Sequence, residues 1–203
     1  MRVIAGRYKG RRLQSPAWPG LRPTSDRLKE TLFNILTPHL QGAQVLDGYA
    51  GTGAIGIEAM SRGAASVVFV ERDPRAATLV EANLAHCGIT NGCVMMRGDF
   101  EGALRRLPAH QRFDLVLLDP PYDEAALDGQ LGIAVERLAP GGLLVVEHAT
   151  RRRAPDRVGA LCCVRRVKSG ASTLSLYRLA AGVSDEETRL GATANQPDGL
   201  EES

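Results

Sequence analysis

The sequence predicts an α/β fold with a mostly parallel, doubly wound sheet, a C-terminal antiparallel hairpin and a small N-terminal β-hairpin extension. The first observation is a regular alternation of short apolar runs and helical segments from residue 44 to residue 147. The second is a glycine-rich turn, residues 47–53, between the first run and the first long helix of that series. The third is a pair of alternating segments around Ser169 and Gly170, which is typical of a hairpin at a sheet edge.

The composition of the 203-residue chain is that of a globular protein, with 44% hydrophobic and 24% charged residues. No run approaches the roughly 18 apolar residues of a membrane span, and the start of the chain lacks the apolar core of a secretory signal. We therefore expect a cytoplasmic protein with no membrane partner. The four cysteines form no C-x-x-C pair and the four histidines do not cluster with them, so neither a metal site nor a disulfide framework is expected.

The net charge of +2 hides an asymmetry along the chain. Residues 1–30 carry eight basic and two acidic side chains, whereas residues 182–203 carry one arginine and six acids. A basic head on a nearly neutral body predicts a polyanionic partner. The acidic tail shows no periodicity and is expected to be disordered.

The basic head is expected to combine a hairpin and a helix. Residues 1–13 alternate apolar and basic stretches around Gly6 and Gly10, which favours a hairpin. Thr24 or Ser25 is expected to cap the helix that follows. The candidates for contact with nucleic-acid phosphates are Arg7, Lys9, Arg11 and Arg12 on the hairpin, and Arg22, Arg27 and Lys29 at or near the start of the helix.

The alternating apolar and helical segments predict individual strands and helices. Parallel strands are expected at 44–46, 66–70, 93–96, 113–118 and 143–147, and hairpin strands at 162–167 and 173–178. Helices are expected at 54–62, 74–87, 100–107 and 124–138. Pro74 at the first turn and Gly88 after the last residue mark the limits of the second of these helices.

The glycine-rich turn is a candidate ligand-binding loop at the end of the first strand, with the sequence Asp47-Gly48-Tyr49-Ala50-Gly51-Thr52-Gly53. Gly51 and Gly53 allow the backbone to turn tightly and to approach a ligand closely. The turn lacks the Lys-Ser/Thr pair of a P-loop. Asp47 would repel a pyrophosphate, but it could hold a cationic or amine group of a ligand.

A carboxylate follows each of the first four predicted parallel strands, namely Asp47, Glu71, Asp99 and Asp119. Glu71 comes about 20 residues after the glycine-rich turn, where an acid can accept hydrogen bonds from ribose hydroxyls. Asp99 is a candidate acceptor for an adenine amine, with Phe100 against the ring. Ligands of open α/β sheets bind at the carboxyl edge of the strands, so the set predicts a ligand site there.

The stretch Asp119-Pro120-Pro121-Tyr122 is the most distinctive candidate for chemistry. Two prolines end the preceding strand and remove two backbone donors, and the residue before a proline is biased towards an extended conformation. The result is a stiff corner with a carboxylate, carbonyl acceptors and an aromatic ring. A planar, amine-bearing group could stack on Tyr122 and donate hydrogen bonds to Asp119 and to the Pro120 carbonyl.

The chain resembles the Rossmann-like class I S-adenosylmethionine-dependent methyltransferases and, more closely, the RsmD-type family of 16S ribosomal RNA guanine-N2 methyltransferases. The resemblance rests on residues 22–36, 47–64, 69–73 and 119–122, and it covers residues 1 to about 180. The segment R-P-T-S-D-R at residues 22–27 makes it specific, because the other motifs are shared by many methyltransferases.

The resemblance implies a role for each matching residue. The cofactor would be S-adenosylmethionine, with its methionine part at Asp47, Tyr49, Ala50, Gly51, Thr52 and Gly53, its ribose at Glu71 beside Arg72, and its adenine at Asp99 and Phe100. The catalytic corner would be Asp119, Pro120, Pro121 and Tyr122, which would hold the target guanine. The RNA-binding residues would be Arg7, Lys9, Arg11, Arg12, Arg22, Thr24 and Arg27.

The expected organisation is an RNA-binding extension (1–40), a methyltransferase domain (41–181) and a disordered tail (182–203). The expected partner is 16S ribosomal RNA or the small ribosomal subunit, bound by a monomer without a metal. Three alternatives stay open: an adenine-N6 DNA methyltransferase, a protein glutamine methyltransferase and a non-catalytic RNA-binding module.

Overall fold

The computed structural model describes residues 1–16, 18, 26–121 and 127–180, and this part of the chain contains five α-helices and eight strands. The helices are α1 (Asp26–Leu36), α2 (Ala54–Ser61), α3 (Pro74–His86), α4 (Phe100–Arg106) and α5 (Leu127–Val135). The strands are β1 (Gln44–Asp47), β2 (Ser66–Glu71), β3 (Cys93–Arg97), β4 (Phe113–Leu118), β5 (Leu138–Ala149), β6 (Arg157–Val158), β7 (Leu161–Ser169) and β8 (Ser172–Leu179).

The eight strands form one sheet in the order β3-β2-β1-β4-β5-β8-β7-β6. Strands β1 to β5 pair in parallel, whereas β8, β7 and β6 add to β5 in antiparallel fashion. The order reverses between β1 and β4, and ligands of such sheets bind outside the carboxyl ends at this switch point. The predicted doubly wound sheet with its C-terminal antiparallel hairpin is confirmed.

Side chains of the central strands alternate between two hydrophobic layers. Val45 and Leu115 pack in the layer formed with α1, α2 and α3. Leu46 and Val116 pack in the layer formed with α4 and α5. Because both faces are buried, the central strands are continuous apolar runs, and this is why they could be located from the sequence.

The N-terminal arm, residues 1–16, folds back on itself with one antiparallel bridge between Arg2 and Arg12. The Val3 N–H donates to the Arg11 carbonyl at 3.0 Å. The side chains of Val3 and Leu13 are buried in the same hydrophobic layer as α1 and α2. The predicted hairpin is therefore present in outline, and it shares its core with the sheet.

Two side chains of α2 hold the arm by its backbone. The fully buried Glu58 carboxylate accepts the N–H groups of Ile4 and Ala5 at 2.7 and 3.0 Å. The Ser61 hydroxyl accepts the Tyr8 N–H at 2.9 Å and donates to the Ala5 carbonyl at 2.5 Å. The arm thus lies directly on the helix that begins at the glycine-rich turn.

The largest error in the predicted elements concerns β5. It begins at Leu138, which pairs with Phe113, although residues 124–138 were predicted to be helical. A register shift between Phe113 and Leu115 and the positive φ of Gly141 (+76°) let the strand pass through Pro140-Gly141-Gly142, before the expected strand start at residue 143. The short β6 and a 3-10 turn at Thr37–His39 were not predicted.

Several expectations fall outside the described residues: the helix cap at Thr24 or Ser25, residues 124–126 and the acidic tail 182–203. Among the described residues, no helix is both long and apolar enough to cross a membrane. Within the same ranges, no three His, Cys, Asp or Glu side chains are grouped so that they could hold a metal ion.

Candidate active site

The carboxyl ends of β1, β4 and β5 surround one cavity with about 570 Å³ of empty space. This volume includes space open to solvent, so the cavity is an open cleft. Its lining comes from the glycine-rich turn, the strand ends and two helices: Leu32, Asp47, Tyr49, Ala50, Gly51, Thr52, Ala54, Ile55, Leu117, Leu118, Asp119, Val145, Glu147 and Leu174. The structure therefore brings the predicted turn and the predicted Asp119 together.

The glycine-rich turn and the start of α2 require glycine for two different reasons. Gly51 and Gly53 have φ of +53° and +77°, a region that side-chain-bearing residues rarely adopt. Gly56 in the first turn of α2 allows close packing, because a Cβ there would lie 2.2 Å from the Phe69 ring. Helix α2 thus packs closely on β2, and its first two residues, Ala54 and Ile55, line the cavity.

Asp47 ends β1 and is only 4% exposed. Its Oδ2 accepts the Gly56 N–H at 3.0 Å, which ties the carboxyl to the start of α2. Burial raises the pKa of Asp47 to about 7; the Gly56 hydrogen bond acts in the opposite direction, and the charge of Glu71 raises the pKa further. A cation placed in the cavity would favour the ionised carboxylate.

Glu71 is the last residue of β2 and holds the glycine-rich turn by a hydrogen bond. Its Oε2 accepts the Gly51 N–H at 2.9 Å, and its Oε1 accepts the Asp73 N–H at 2.9 Å. Each carboxylate oxygen has a further lone pair, so Glu71 keeps the capacity to accept from ribose hydroxyls. The neighbouring Arg72 is exposed to solvent.

Asp99 and Phe100 have structural roles in addition to the predicted contact with adenine. Asp99 caps α4, with Oδ1 accepting the Gly102 N–H at 2.7 Å, and this bond lowers the pKa of Asp99. Phe100 is 5% exposed, and its ring stacks on Tyr49 with 5.5 Å between the ring centroids. Tyr49 lines the cavity, whereas Phe100 is not among the lining residues and reaches the site through its contact with Tyr49.

Asp119 directly follows β4 and is half-buried, with the buried Pro120 and the exposed Pro121 after it. Burial, the charge of Glu147 and the charge of Asp47, in that order, raise the pKa of Asp119 well above its usual range. The corner thus presents a carboxyl group that holds a proton more tightly than an ordinary aspartate does. Tyr122 lies outside the described residues.

Glu147 was missed by the sequence-based reasoning. It lies on β5 beside Asp119 and lines the same cavity. The predicted fifth strand already ended at this residue, so the rule that selected the other strand-end acids would also have selected Glu147. Leu32 and Ile55 also line the cavity, but apolar side chains on helices gave no indication of it.

The candidate RNA-binding residues differ in how free they are to contact a phosphate. Five of them are exposed: Arg7, Lys9, Arg11, Arg12 and Arg27. The Arg11 guanidinium donates to the Cys87 carbonyl at the end of α3, so this side chain helps to dock the arm. Arg22 and Thr24 lie outside the described residues.

The expectation that Lys29 contacts phosphates is wrong. Lys29 is fully buried, and its Nζ donates to the Arg2 carbonyl at 2.6 Å and lies 3.9 Å from the Glu58 carboxylate. Burial lowers the pKa of Lys29. Its charge serves the packing of α1 against the arm and α2.

Three comparisons place this architecture among known proteins. The family described as "Conserved hypothetical protein 95" matches residues 1–178. "Ribosomal RNA small subunit methyltransferase D" of Escherichia coli (strain K12) is 34% identical over 190 residues, which span 92% of this chain and 94% of that protein. The protein of the same name from Haemophilus influenzae is 38% identical over 151 residues, which span 72% of this chain and 78% of that one.

The fold is also shared with the solved structure of a hypothetical protein from Thermus thermophilus. The TM-score is 0.74 at 32% identity, and the match covers 87% of this chain and 98% of that chain. The similarity therefore extends over the arm, the sheet and the cavity together.

Proposed function

The chain belongs to the ribosomal RNA small subunit methyltransferase D family, and we propose that it transfers the methyl group of S-adenosylmethionine to the exocyclic N2 of a guanine in 16S ribosomal RNA. The observation that carries the proposal is the placement of Asp119, at the Pro-Pro corner, in one cavity with the glycine-rich turn. A cofactor bound at the turn and a planar amine bound at the corner would then lie next to each other in the same cavity.

The residues that line the cavity and those next to it suit S-adenosylmethionine in their chemistry and charge. The turn at Gly51 and Gly53 would approach the methionine part, and Glu71, which holds the turn, would accept from the ribose. Asp99 and Phe100 would face the adenine, with Phe100 stacked on Tyr49. The carboxylates of Asp47 and Asp119 complement a cation. When bound, the cofactor supplies an electrophilic methyl group that needs no metal.

Asp119 would activate the amine of the base. The lone pair of an exocyclic amine is delocalised into the ring, and acceptors at its two hydrogens turn that lone pair towards the methyl group. The Asp119 carboxylate and the Pro120 carbonyl are held rigidly as such acceptors, so rate would come from orientation and electrostatic preorganisation. The raised pKa of Asp119 also makes it a suitable base for the proton that N2 loses after transfer.

Glu147 favours guanine over adenine. The Watson–Crick edge of guanine has adjacent donors at N1–H and N2–H₂, whereas adenine has an acceptor at N1 beside its amine. Asp119 and Glu147 line the same cavity and are both acceptors when ionised. When both are ionised, which a bound cation would favour, the pair of carboxylates matches two neighbouring donors and would repel the N1 lone pair of adenine.

The exposed cations of the arm would position the RNA. Arg7, Lys9 and Arg12 can contact phosphates, which contribute affinity and register, while the pocket selects the base. The target base would leave its stack to enter the cavity, with Tyr122 against it. The working unit would be a cytoplasmic monomer with an RNA-binding extension (1–40), a catalytic domain (41–181) and an acidic tail (182–203).

The test is a transfer assay with tritiated S-adenosylmethionine and four acceptors: 30S subunits, 16S ribosomal RNA, duplex DNA and a peptide release factor. We expect label in the ribosomal RNA and N2-methylguanosine after nucleoside digestion and mass spectrometry. Label in DNA as N6-methyladenine, or in protein as methylglutamine, would replace the proposal by one of the alternatives. Failure to bind S-adenosylmethionine would leave only the non-catalytic module.

A further inference from the structure

Asn83 is a fully buried residue of α3 that joins two distant parts of the chain. Its Oδ1 accepts the Gln14 N–H at 2.7 Å, and its Nδ2 donates to the Gln14 carbonyl at 3.2 Å. The same Nδ2 donates to the Thr52 carbonyl at 2.9 Å. One amide side chain therefore holds the N-terminal arm and the glycine-rich turn at once.

Thr52, whose carbonyl accepts from Asn83, is itself part of the cavity wall. It is 4% exposed and lies between Gly51 and Gly53. Its hydroxyl is also 4.0 Å from the sulfur of Met1, so the turn touches the arm directly. A shift of the Thr52 carbonyl would leave buried polar groups without partners, which costs about 1–3 kcal/mol each.

A second connection between the arm and the cavity runs through α1. The buried Lys29 donates to the Arg2 carbonyl at 2.6 Å, and Leu32, on the next turn of the same helix, lines the cavity. The exposed Lys9 and Arg12 belong to the same arm. The arm thus contacts two elements that line the cavity, the glycine-rich turn and α1, while Lys9 and Arg12 are exposed.

We propose that Asn83 is a positioning residue that couples RNA binding at the N-terminal arm to cofactor binding at the glycine-rich turn. The inference rests on the proposed function, because it takes the arm as the RNA-binding segment. A ligand on either segment orders one side of the Asn83 hydrogen bonds, so the other segment loses less freedom when its own ligand binds. The coupling is reciprocal: RNA and cofactor raise each other's affinity by the same factor.

The test is calorimetric titration of the full chain with S-adenosylhomocysteine, with and without a saturating 16S ribosomal RNA transcript. In the wild-type protein, we expect RNA to raise the affinity for S-adenosylhomocysteine by at least about five-fold. In Asn83→Ala, the same increase should fall below about two-fold. Asn91→Ala changes an exposed asparagine after α3 and is the matched control, which should keep the wild-type factor. Asn83→Ala could instead lower the melting temperature and weaken S-adenosylhomocysteine binding equally with and without RNA. The factor by which RNA raises the affinity would then be unchanged, Asn83 would be merely structural, and the proposal would be wrong.

Hydrogen exchange on the wild-type protein provides a second test that does not depend on the folding of a variant. S-adenosylhomocysteine should slow exchange in residues 1–16 as well as in residues 47–53. Slowing confined to 47–53 would overturn the coupling and leave the proposed function intact. Absence of any binding would overturn the proposed function itself, so the two failures are distinguishable.

Discussion

Gly6 and Ser61 are in such close contact that a Cβ built on Gly6 would lie 1.8 Å from the Ser61 carbonyl oxygen. The same carbonyl accepts the Arg7 N–H at 2.7 Å. Gly6 has a φ of +82°. The arm therefore docks on α2 only because residue 6 has no side chain, and this contact fixes the segment that we propose binds RNA.

Gly6→Ala should detach the arm from α2. Gly10 is a matched control, because its φ is +84° but a Cβ there would meet nothing within 4 Å. Alanine in this backbone region costs about 1–2 kcal/mol at either position. At Gly6 the collision would also break hydrogen bonds of the arm, each worth about 0.5–1.5 kcal/mol. Urea unfolding should show Gly6→Ala to be the less stable variant, and equal stabilities would contradict the docking.

Asp47 should make the protein less stable as the pH rises towards neutrality. In the folded state its pKa is about 7 against an ordinary value of 3.8, so the folded protein holds a proton that the unfolded chain has released. The free energy of unfolding should therefore fall between about pH 4 and pH 7, by up to about 4 kcal/mol, and level off above pH 7. In Asp47→Asn this part of the slope should vanish. Identical pH profiles for the two proteins would show that the carboxyl is not buried as described.

Arg11 and Arg12 are neighbours in the sequence but should respond differently to removal. Both side chains are exposed, but only Arg11 has a described hydrogen bond to another part of the chain, to the Cys87 carbonyl. Arg12→Ala should weaken RNA binding and reduce the slope of log K against log salt by about 0.7–0.9, the loss of one phosphate contact. Arg11→Ala should lower the melting temperature and change the slope less. Filter binding over a salt series measures the slope for both variants. Equal slope changes would show that Arg11 contacts RNA phosphates as Arg12 does.

Glu147→Gln should impair recognition of the base. It replaces a charged acceptor beside Asp119 by a neutral amide, and a well-placed pair of base contacts is worth about 1–3 kcal/mol. We expect kcat/KM for the RNA to fall about ten- to hundredfold. Glu101→Gln, an exposed change on α4 away from the cavity, is the control and should leave kcat/KM unchanged. A wild-type rate for Glu147→Gln would remove this residue from the pocket.

The sheet and the cavity edge could be predicted from the sequence because local patterns determine them. Each central strand is an apolar run, and Asp47 and Asp119 each lie where such a run ends. The parallel arrangement then brings their carboxyls to one edge. The glycine-rich turn was predictable for a similar reason, since the positive φ of Gly51 and Gly53 requires residues without a side chain.

The partners of the charged residues could not be predicted, because they lie far away in the sequence. Lys29 was predicted to contact phosphates, yet its partners are the carbonyl of Arg2 and the carboxylate of Glu58. Asn83 had no local pattern that would connect it to Gln14 and Thr52. Tertiary packing decided the role of these side chains.

Asp119 is the proposed catalytic residue, and removing its carboxylate is the most direct test of that role. Asp119→Asn should lower the rate of methyl transfer to 30S subunits or 16S ribosomal RNA by about 10²–10³-fold or more, while the affinity for S-adenosylhomocysteine stays within a few-fold of wild type. Asp114→Asn is the matched control on the same strand, where Asp114 is exposed and accepts the Gln44 N–H at 2.8 Å at the opposite edge of the sheet. Near-normal turnover by Asp119→Asn would contradict the assignment of the catalytic corner.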